Sequence, residues 1–499
     1  MTRGPLYRWY ALGLLAVINL LNYLDRNVIF ALFEPIKQDL GLSDTQLGWL
    51  GSAYILVFSV AALPFGVLSD LRSRRTVIAS GVALWSLFTF LGGFVRNFWQ
   101  LFTCRAAVGV GEAAFGPAAT SLVADYFPDK RRAVAMGILA SGIALGGVLG
   151  IGLGGVLEKL YNWRVAFMVV GVPGFVCAAL AARLIDPTRA PSRLSLRAYL
   201  REVEGGVTAF CRHFAGTLLG VAVGTVLALV LGAAYGASSS LDVAVLAAVV
   251  GLGLALDILR WVRLIRAGQI ERTPIGGGIG SAFEDIVRAG QRVLATPTLV
   301  YVFIAGAMIS FGMNGIVGWG PSFIARELEL SSSQAATLLA KWGLLAGTAG
   351  TVFGGALADW MRRYTDRARV LTVAIGMLLG GPAAVFLLTV RDPDVFVPVF
   401  FTAFFFLSWY NGPITAVIFD VVPARVGATV AGAYLLFIHL AGDAIAFPLV
   451  GALSDRFGLH RAVLVLPLVA ILGGLVMLGA GRTVGKDMRR VMAETPAGT

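Results

Sequence analysis

The stretch Leu101–Ala124 reads LFTCRAAVGVGEAAFGPAATSLVA and is apolar enough to cross a membrane, yet it carries Arg105 and Glu112. Residues seven apart in a helix are separated by about two turns and lie on one face. Gly109 lies between the two charges on that face, and Gly116 lies one turn beyond Glu112. A charge in the middle of a membrane helix costs at least ~2.5 kcal/mol on insertion scales, so it usually faces a cavity. The stretch therefore predicts a membrane helix that lines a charged cavity.

The composition is that of a polytopic membrane protein. The chain is 58% hydrophobic and 14% charged, its mean hydropathy is +0.82, and apolar runs of about 18 residues or more recur along it. The net charge of +12 comes from short links between apolar runs, so we expect anionic membrane lipids, and no nucleic acid, as its partners. Cys104, Cys177 and Cys211 form neither a disulfide framework nor a metal-ligand spacing, so we expect no metal and no cofactor.

Two sets of six apolar segments predict twelve membrane spans. They lie near 9–31, 46–69, 76–95, 99–124, 133–157, 163–185, 297–318, 334–358, 370–390, 395–419, 426–453 and 461–481. Segments 215–235 and 241–262 are also long enough to cross, which predicts two extra helices in the central linker. The alternative is a long linker with one re-entrant or peripheral hairpin. Segments 194–214 and 281–294 are amphipathic, and we expect them to lie on the membrane surface.

These segments divide the chain into four predicted parts. They are an N-terminal six-helix bundle (1-185), a central linker with amphipathic helices and two extra transmembrane helices (186-296), a C-terminal six-helix bundle (297-485) and a tail (486-499). Lys and Arg are about twice as frequent in the links on the side of the two termini, which predicts that both termini are cytoplasmic. We therefore expect an all-α integral protein of the plasma (inner) membrane, with a cytoplasmic tail.

A short motif recurs at the ends of four spans. Three copies are nearly identical and the fourth is weaker: Gly66-Val-Leu-Ser-Asp70, Gly355-Ala-Leu-Ala-Asp359, Gly451-Ala-Leu-Ser-Asp455 and Gly154-Gly-Val-Leu-Glu158. They close spans two, eight, eleven and five, so a unit of three helices occurs four times. Two similar halves built from three-helix repeats are the architecture of transporters that rock around a central site.

The motif after span two resembles a signature of the major facilitator superfamily. It reads Gly66-x-x-x-Asp70-x-x-x-Arg74-Arg75 and departs from the signature at Leu71, usually basic, and at Ser73, usually glycine. The resemblance implies the major facilitator fold of two six-helix bundles. The charged residues of this motif, together with Asp359 of the repeat in the second half, suit a cytoplasmic gate. In such a gate the charges pair across the two halves in one state and separate in the other. The alternative is that they only cap helices and set topology.

Within that superfamily the chain resembles the Spinster lipid transporters. The resemblance is carried by Asn22-Tyr23-Leu24-Asp25-Arg26, by Arg105-x-x-Val108-Gly109-x-Gly111-Glu112-Ala113 and by Asp125-Tyr126-Phe127. It is strong over about the first 130 residues and weaker in the second half. It implies export or flipping of lysolipid-like or sphingolipid-like amphiphiles, often with proton linkage. Sphingosine-1-phosphate is the substrate associated with some animal members.

The first half contains the main candidate site. We expect Asp25 and Glu112 to be proton acceptors, because a poorly hydrated cavity favours the neutral carboxyl form. Arg26 and Arg105 are fixed cations that can pair with those carboxylates when the site is empty and with an anionic headgroup when it is occupied. The motif residues Asn22 and Tyr23 add polar groups for the substrate. The alternative is a pair of permanent structural ion pairs between spans one and four.

The second half offers further candidates for substrate binding. His439 and Asp443 are four residues apart on one helical face and form a candidate proton-sensitive pair. The polar residues Asn314, Tyr410 and Asn411 are candidate cavity-lining groups. The alternative for His439 is a hydrogen-bonded packing residue.

These observations predict a monomeric secondary transporter that moves an amphiphilic lipid by alternating access, with proton linkage. Gly147 stands where proton antiporters of the superfamily often carry proline, which favours uniport or symport over antiport. The main alternative is a polyspecific organic-anion or drug exporter, and a non-transporting receptor is a further one. A membrane enzyme is disfavoured, because the sequence shows no metal-ligand cluster, nucleophile elbow or phosphate-binding loop.

Overall fold

The computed structural model describes residues 5–186 and 289–494, except 72 and 128, together with scattered positions between 208 and 263. Eleven helices within this described part are long and apolar enough to cross a membrane. The remaining predicted span, near 334–358, lies in a helix of 30 residues. The predicted extra spans, the surface segment 194–214 and the last residues of the tail lie largely or wholly outside the described residues.

The first half of the chain, residues 5–186, contains eight helices. They are α1 (Pro5–Ala31), α2 (Phe33–Leu40), α3 (Asp44–Leu71), α4 (Arg74–Gly92), α5 (Phe98–Ala113), α6 (Phe115–Tyr126), α7 (Asp129–Leu160) and α8 (Trp163–Ala181). Span four is divided into α5 and α6 at Ala114. Pro117 lies just beyond this break and cannot donate a backbone hydrogen bond to the preceding turn, which accounts for the interruption.

The second half of the chain, residues 297–494, repeats this plan. Its helices are α9 (Pro297–Glu327), α10 (Ser332–Met361), α11 (Ala368–Leu387), α12 (Pro393–Leu407), α13 (Asn411–Asp420), α14 (Ala424–Ile438), α15 (Ala444–Phe457), α16 (Leu459–Ala462), α17 (Val465–Ala480) and α18 (Val484–Glu494). A 3₁₀ segment, Ser408–Tyr410, precedes Pro413 in span ten, and a π-helical segment, His439–Asp443, precedes Pro448 in span eleven. Both spans therefore change geometry one turn before a proline.

By backbone contacts the chain divides into two compact units. One unit contains Met1–Ser192, Tyr301–Pro423 and Tyr434–Thr499, and so holds most of both halves. The other contains Arg193–Val300 and Ala424–Ala433. The predicted division into two separate six-helix bundles stays a prediction. In the first unit, we call the end of the helix bundle where α1 begins the proximal end, and the end where α1 finishes the distal end.

A ridge of small residues on α7 brings this helix against α1. Gly142, Gly146, Gly150 and Gly154 recur every four residues, and a Cβ atom added to any of them would lie within 3.0 Å of the α1 backbone or its side chains. At Gly146 the added atom would lie 2.3 Å from the carbonyl oxygen of Leu20. The two backbones therefore pack directly against each other, as in membrane helices that associate through small residues. This contact positions α1, which carries part of the candidate site.

We expect Gly146→Ala to destabilise the protein by about 1–3 kcal/mol, because the new methyl group overlaps a backbone carbonyl that cannot move aside. Gly137→Ala is the matched control on the same helix, since no atom lies within 4 Å of the position of its Cβ. Alanine favours helix more than glycine does, so the control should be neutral or more stable. Thermal unfolding in detergent measures both variants, and equal melting temperatures would show that the close α1–α7 contact is absent.

Candidate functional site

The first ion pair of the site joins α1 to α5. Arg105 Nη1 donates to Asp25 Oδ1 at 3.0 Å, and both side chains are only 2% exposed. Thr89 on α4 donates its hydroxyl to the other oxygen of the same carboxylate. The Arg105 guanidinium also approaches the backbone carbonyls of Asp25 and Arg26, at 3.4 and 3.5 Å. Three helices therefore hold one buried carboxylate in a fixed orientation.

A second ion pair joins the same two helices, but here α1 supplies the cation and α5 supplies the carboxylate. Arg26 Nε donates to Glu112 Oε2 at 2.6 Å, with side-chain exposures of 9% and 0%. The Arg26 guanidinium also lies over the rings of Tyr23, Tyr54 and Phe58, at 4.6, 5.5 and 4.5 Å from their centroids. Aromatic faces attract a cation and keep it dry. Each helix thus supplies one cation and one carboxylate, and each charge pairs with the neighbouring helix.

Glycines in α5 permit this arrangement. A Cβ atom on Gly109 would lie 2.5 Å from the carbonyl oxygen of Tyr54, and one on Gly111 would lie 2.7 Å from that of Gly81. Helices α3 and α4 therefore pack directly on α5, which brings the Tyr54 ring beside Arg26. The close packing also shows that Gly109 and Gly111 are helix-contact residues rather than a nucleotide-binding loop.

The two ion pairs leave buried hydrogen-bonding capacity unused. In the described part of the chain, Glu112 Oε1, Arg105 Nε and Asn22 Nδ2 are buried and have no hydrogen-bond partner. Such atoms are uncommon in folded proteins and call for an explanation. Here one acceptor and two donors lie in the same neighbourhood as two guanidinium groups. Hydrogen-bonding capacity for a further polar group is therefore present beside both ion pairs.

A second polar cluster lies in the second half. His439 Nδ1 lies 2.6 Å from Asp443 Oδ2, and the Asp443 carboxylate is 3% exposed. Asn314 Nδ2 donates to Asp443 Oδ1 at 2.9 Å, and the hydroxyl of Ser310 donates to the same oxygen. His439 and Asp443 are the first and last residues of the π-helical segment. Such segments often occur at functional sites.

The remaining second-half candidates are less close to this cluster. Asn411 is exposed and donates to Thr351 and Ser408, so it does not join the Asp443 cluster. Tyr410 lies within electrostatic range of Asp443. The structure therefore brings together three of the predicted residues (Asn314, His439 and Asp443), places Tyr410 nearby and separates Asn411 from them.

The described contacts of the predicted gate residues at the proximal end lie within one half each. Arg74 is 1% exposed, and its guanidinium contacts Asp125 at 2.6 Å and Asp186 at 2.5 Å. Arg75 is exposed and donates to a carbonyl of the first half. The side chains of Gly66 and Asp70 lie outside the described residues.

The second half has a similar cluster of ion pairs at its proximal end. Asp420 contacts Arg362 at 3.0 Å and also pairs with Arg369, which lies 3.8 Å from Asp359. The Asp359 side chain is 75% exposed. These contacts, like those of Arg74, join residues of one half only, so the proposed pairing across the halves at this end stays a prediction.

Several site residues were not found from the sequence. Thr89 and Ser310 each hold a buried carboxylate, but a single hydroxyl in an apolar span is common and carries no distinctive signal. Tyr54 and Phe58 are ordinary aromatic residues of span two until α5 brings them to Arg26. Asp186 follows span six and resembles a residue of a polar link.

Comparison with known proteins identifies the class. The family model described as Major Facilitator Superfamily matches residues 15–213 and 207–442. An MFS-type efflux pump of Mycolicibacterium smegmatis is 36% identical over 183 residues, 36% of this chain and 43% of that relative. The sphingosine-1-phosphate transporter SPNS2 of Xenopus tropicalis is 25% identical over 94% of this chain and 80% of its own length. The chain belongs to the major facilitator superfamily and is a transporter rather than an enzyme.

A solved structure has the same fold. A crystal structure described as a bacterial homolog to the human lysosomal transporter Spinster, in an inward-facing and unoccupied conformation, superposes with a TM-score of 0.71. It is 21% identical in sequence, and the match covers 97% of this chain and 99% of that one. The predicted major facilitator fold is therefore confirmed, and the resemblance to Spinster proteins is confirmed by the sequence similarity to SPNS2 and to protein spinster of Drosophila melanogaster. The protein is an integral membrane transporter related to the Spinster family.

Proposed function

We propose that the protein moves an amphiphilic lipid of the lysolipid or sphingolipid type, sphingosine-1-phosphate included, by alternating access, and that protons drive the movement. The supporting observation is the pair of crossed ion pairs, Arg105–Asp25 and Arg26–Glu112, beside buried atoms that lack partners. An anionic headgroup fits two guanidinium groups that are already desolvated and fixed in place. Membrane lipids surround the protein, which works as a monomer in the plasma membrane with both termini in the cytoplasm.

The same geometry supports the proposed proton linkage. When a headgroup takes over a guanidinium, the carboxylate that it leaves is buried and uncompensated, which is strongly unfavourable. Binding a proton removes that charge. Two observations support Glu112 in this role: it has one ion-pair partner among the described residues and one buried oxygen without a hydrogen bond. Headgroup binding and protonation therefore favour each other, which is the thermodynamic requirement for coupling.

The second half supplies a complementary apolar region. A small cavity of about 50 Å³ lies among α9, α10, α11, α12 and α17, and its lining is almost wholly apolar. Its walls include Trp319, Phe396, Phe400 and Phe404. Charged groups in the first half and an apolar cavity in the second match the two ends of an amphiphile. The His439–Asp443 pair adds a second polar group in the same half.

Flux through reconstituted protein tests the proposal. Liposomes with the purified chain are given a labelled lysophospholipid or sphingosine-1-phosphate, with and without a pH gradient. We expect gradient-driven accumulation in the unmodified protein and, in Glu112→Gln, only the flux seen without a gradient. Glu158→Gln is the control, since Glu158 is a half-buried carboxylate of the same half without a described ion pair, and it should behave like the unmodified protein.

The other outcomes have definite meanings. Lipid flux that ignores both the gradient and Glu112→Gln would contradict proton linkage and leave a facilitator. Absence of flux for every lipid tested would contradict the lipid substrate. In that case the second candidate, a polyspecific organic-anion or drug exporter, would be favoured, as the similarity to an MFS-type efflux pump suggests. Efflux of an anionic dye from the same liposomes would test it directly.

A further inference from the structure

A buried carboxylate at the distal end joins the two halves. Asp44, in the first turn of α3, is 2% exposed. Its oxygens accept bonds from both Nη atoms of Arg326, at 2.7 and 2.8 Å, from Lys37 Nζ at 2.7 Å and from Ser454 Oγ at 2.5 Å. Arg326 and Ser454 belong to the second half, and Arg326 also contacts Glu34 at 2.7 Å.

A second carboxylate caps a helix of the opposite half. Asp455 accepts from the backbone N–H groups of Asp44 and Thr45, at 2.8 and 2.9 Å, and from Thr45 Oγ1 at 2.6 Å. The first N–H groups of a helix have no partner inside that helix, and the helix dipole favours a negative charge there. Asp455 is the last residue of the repeated motif in span eleven, so here the motif acts across the halves.

Next to these charges, on the side toward the proximal end, the backbones of α3 and α15 are in direct contact. A Cβ atom on Gly48 would lie 2.3 Å from the carbonyl oxygen of Phe447, and one on Gly451 would lie 2.2 Å from that of Asp44. Ser52 Oγ donates to the carbonyl of Ala444 at 2.8 Å. Pro448 cannot donate to that carbonyl, so the hydroxyl of the other half takes the place of the missing helical bond. The contact therefore closes the distal end along this seam.

The contact between α7 and α10 corresponds to the contact between α15 and α3. In the described part of the chain it has no carboxylate that caps the partner helix, as Asp455 caps α3. Helices α3 and α10 begin with similar capping boxes, Ser43-Asp-Thr-Gln46 and Ser331-Ser-Ser-Gln334. A Cβ atom on Gly155 would lie 3.1 Å from Ser333 in the first turn of α10, so α7 approaches α10 as α15 approaches α3. However, Glu158, the repeat counterpart of Asp455, has no ion pair or hydrogen bond in the described part of the chain. Among the described residues, carboxylates therefore connect the halves at the α3–α15 contact and not at the α7–α10 contact.

We propose that Asp455 and Asp44 form a distal latch that holds the α3–α15 seam closed, and that transport requires this latch to open. The latch rests on the proposed alternating access. It differs from the substrate site, because its residues lie at the helix ends and contact neither Glu112 nor Arg105. Removing Asp455 leaves two N–H groups of α3 without their acceptor and weakens the closed state alone, since these bonds cannot form once the halves separate there.

Distances between spin labels test the latch without any substrate. Labels on Tyr161→Cys and Val395→Cys, exposed distal positions of the first and second halves, are introduced after the three native cysteines are replaced by alanine. Loss of charge-assisted hydrogen bonds should raise the ratio of open to closed conformers by about tenfold or more in Asp455→Ala. Arg326→Gln should act in the same direction. Asp392→Ala is the control, because Asp392 caps α12 within its own half.

The outcomes separate the latch from the proposed function. A longer distance population in Asp455→Ala and Arg326→Gln, but not in Asp392→Ala, supports the latch whether or not a lipid is transported. Unchanged distances in both latch variants, in protein that elutes as a folded species, would overturn it even if lipid flux were normal. A longer population in Asp392→Ala as well would also overturn it, since the effect would then come from weakened helix ends in general.

Discussion

Arg105→Gln is expected to lower lipid flux by about a hundredfold or more and to destabilise the protein by about 3–5 kcal/mol. The substitution leaves the buried Asp25 carboxylate with the Thr89 hydroxyl but without its ion-pair partner. Breaking a buried pair on one side is costly because the remaining charge stays desolvated. It also removes a guanidinium that we expect to bind the headgroup, and losses of this kind in buried charge pairs reach several kcal/mol.

The double variant Arg105→Gln/Asp25→Asn separates structure from function. Replacing both partners by neutral amides removes the uncompensated charge, so most of the stability should return. Flux should stay low, because neither amide attracts an anion. If flux returned with stability, the ion pair would be purely structural, which is the alternative that the sequence left open. Thermal unfolding in detergent and flux in liposomes, measured on the same preparations, give the two quantities.

The sequence predicted the fold because the membrane restricts the choice of structure. A backbone that crosses lipid must satisfy its own hydrogen bonds, so long apolar runs become helices almost regardless of detail. The breaks within spans were harder to predict. The π-helical segment at His439–Asp443 precedes Pro448, and the carbonyl that Pro448 leaves free, that of Ala444, accepts from Ser52 of another helix. No local pattern near His439 contains that information.

The candidate site was predictable where charge is rare. Asp25, Arg26, Arg105 and Glu112 stand out in apolar spans because each is costly there. Their partners did not follow from spacing: Arg105 and Glu112 share a helical face, yet each pairs with α1 rather than with the other. Such pairing depends on how two helices are rotated against each other, which one sequence does not specify.

The functional contacts of charges at helix ends could not be predicted, because charge is common there and carries no distinctive signal. Lys37 and Arg326 lie near the ends of apolar spans, where charged residues are expected. In the structure both bind Asp44, and Arg326 does so from the other half of the chain. The repeat that ends at Asp455 was visible in the sequence, but its role depends on the exposed N–H groups of α3. A motif identified the residue, and only the fold identified its partner.

A substitution that fills the apolar cavity should lower the transport of lipids with long tails more than that of lipids with short tails. Ala403 on α12 lines the cavity and is 2% exposed, so Ala403→Phe places a ring where a tail would lie. Each methylene displaced from an apolar site costs about 0.8 kcal/mol, and the loss of three or four weakens binding of a long-chain lipid by about a hundredfold. A short-chain analogue with the same headgroup, which does not reach the cavity, should be transported nearly as well as by the unmodified protein.

Chain length makes this variant a test of substrate class. Thr402→Phe is the matched control, since Thr402 is the exposed neighbour of Ala403 on the same helix, and it should leave the dependence on chain length unchanged. Equal losses for long and short lipids in Ala403→Phe would indicate general damage rather than a tail site. A polyspecific exporter of small organic anions would show no dependence on chain length, because its substrates place no tail in the second half. The same measurement therefore distinguishes a headgroup-and-tail carrier from an exporter that uses the charged site alone.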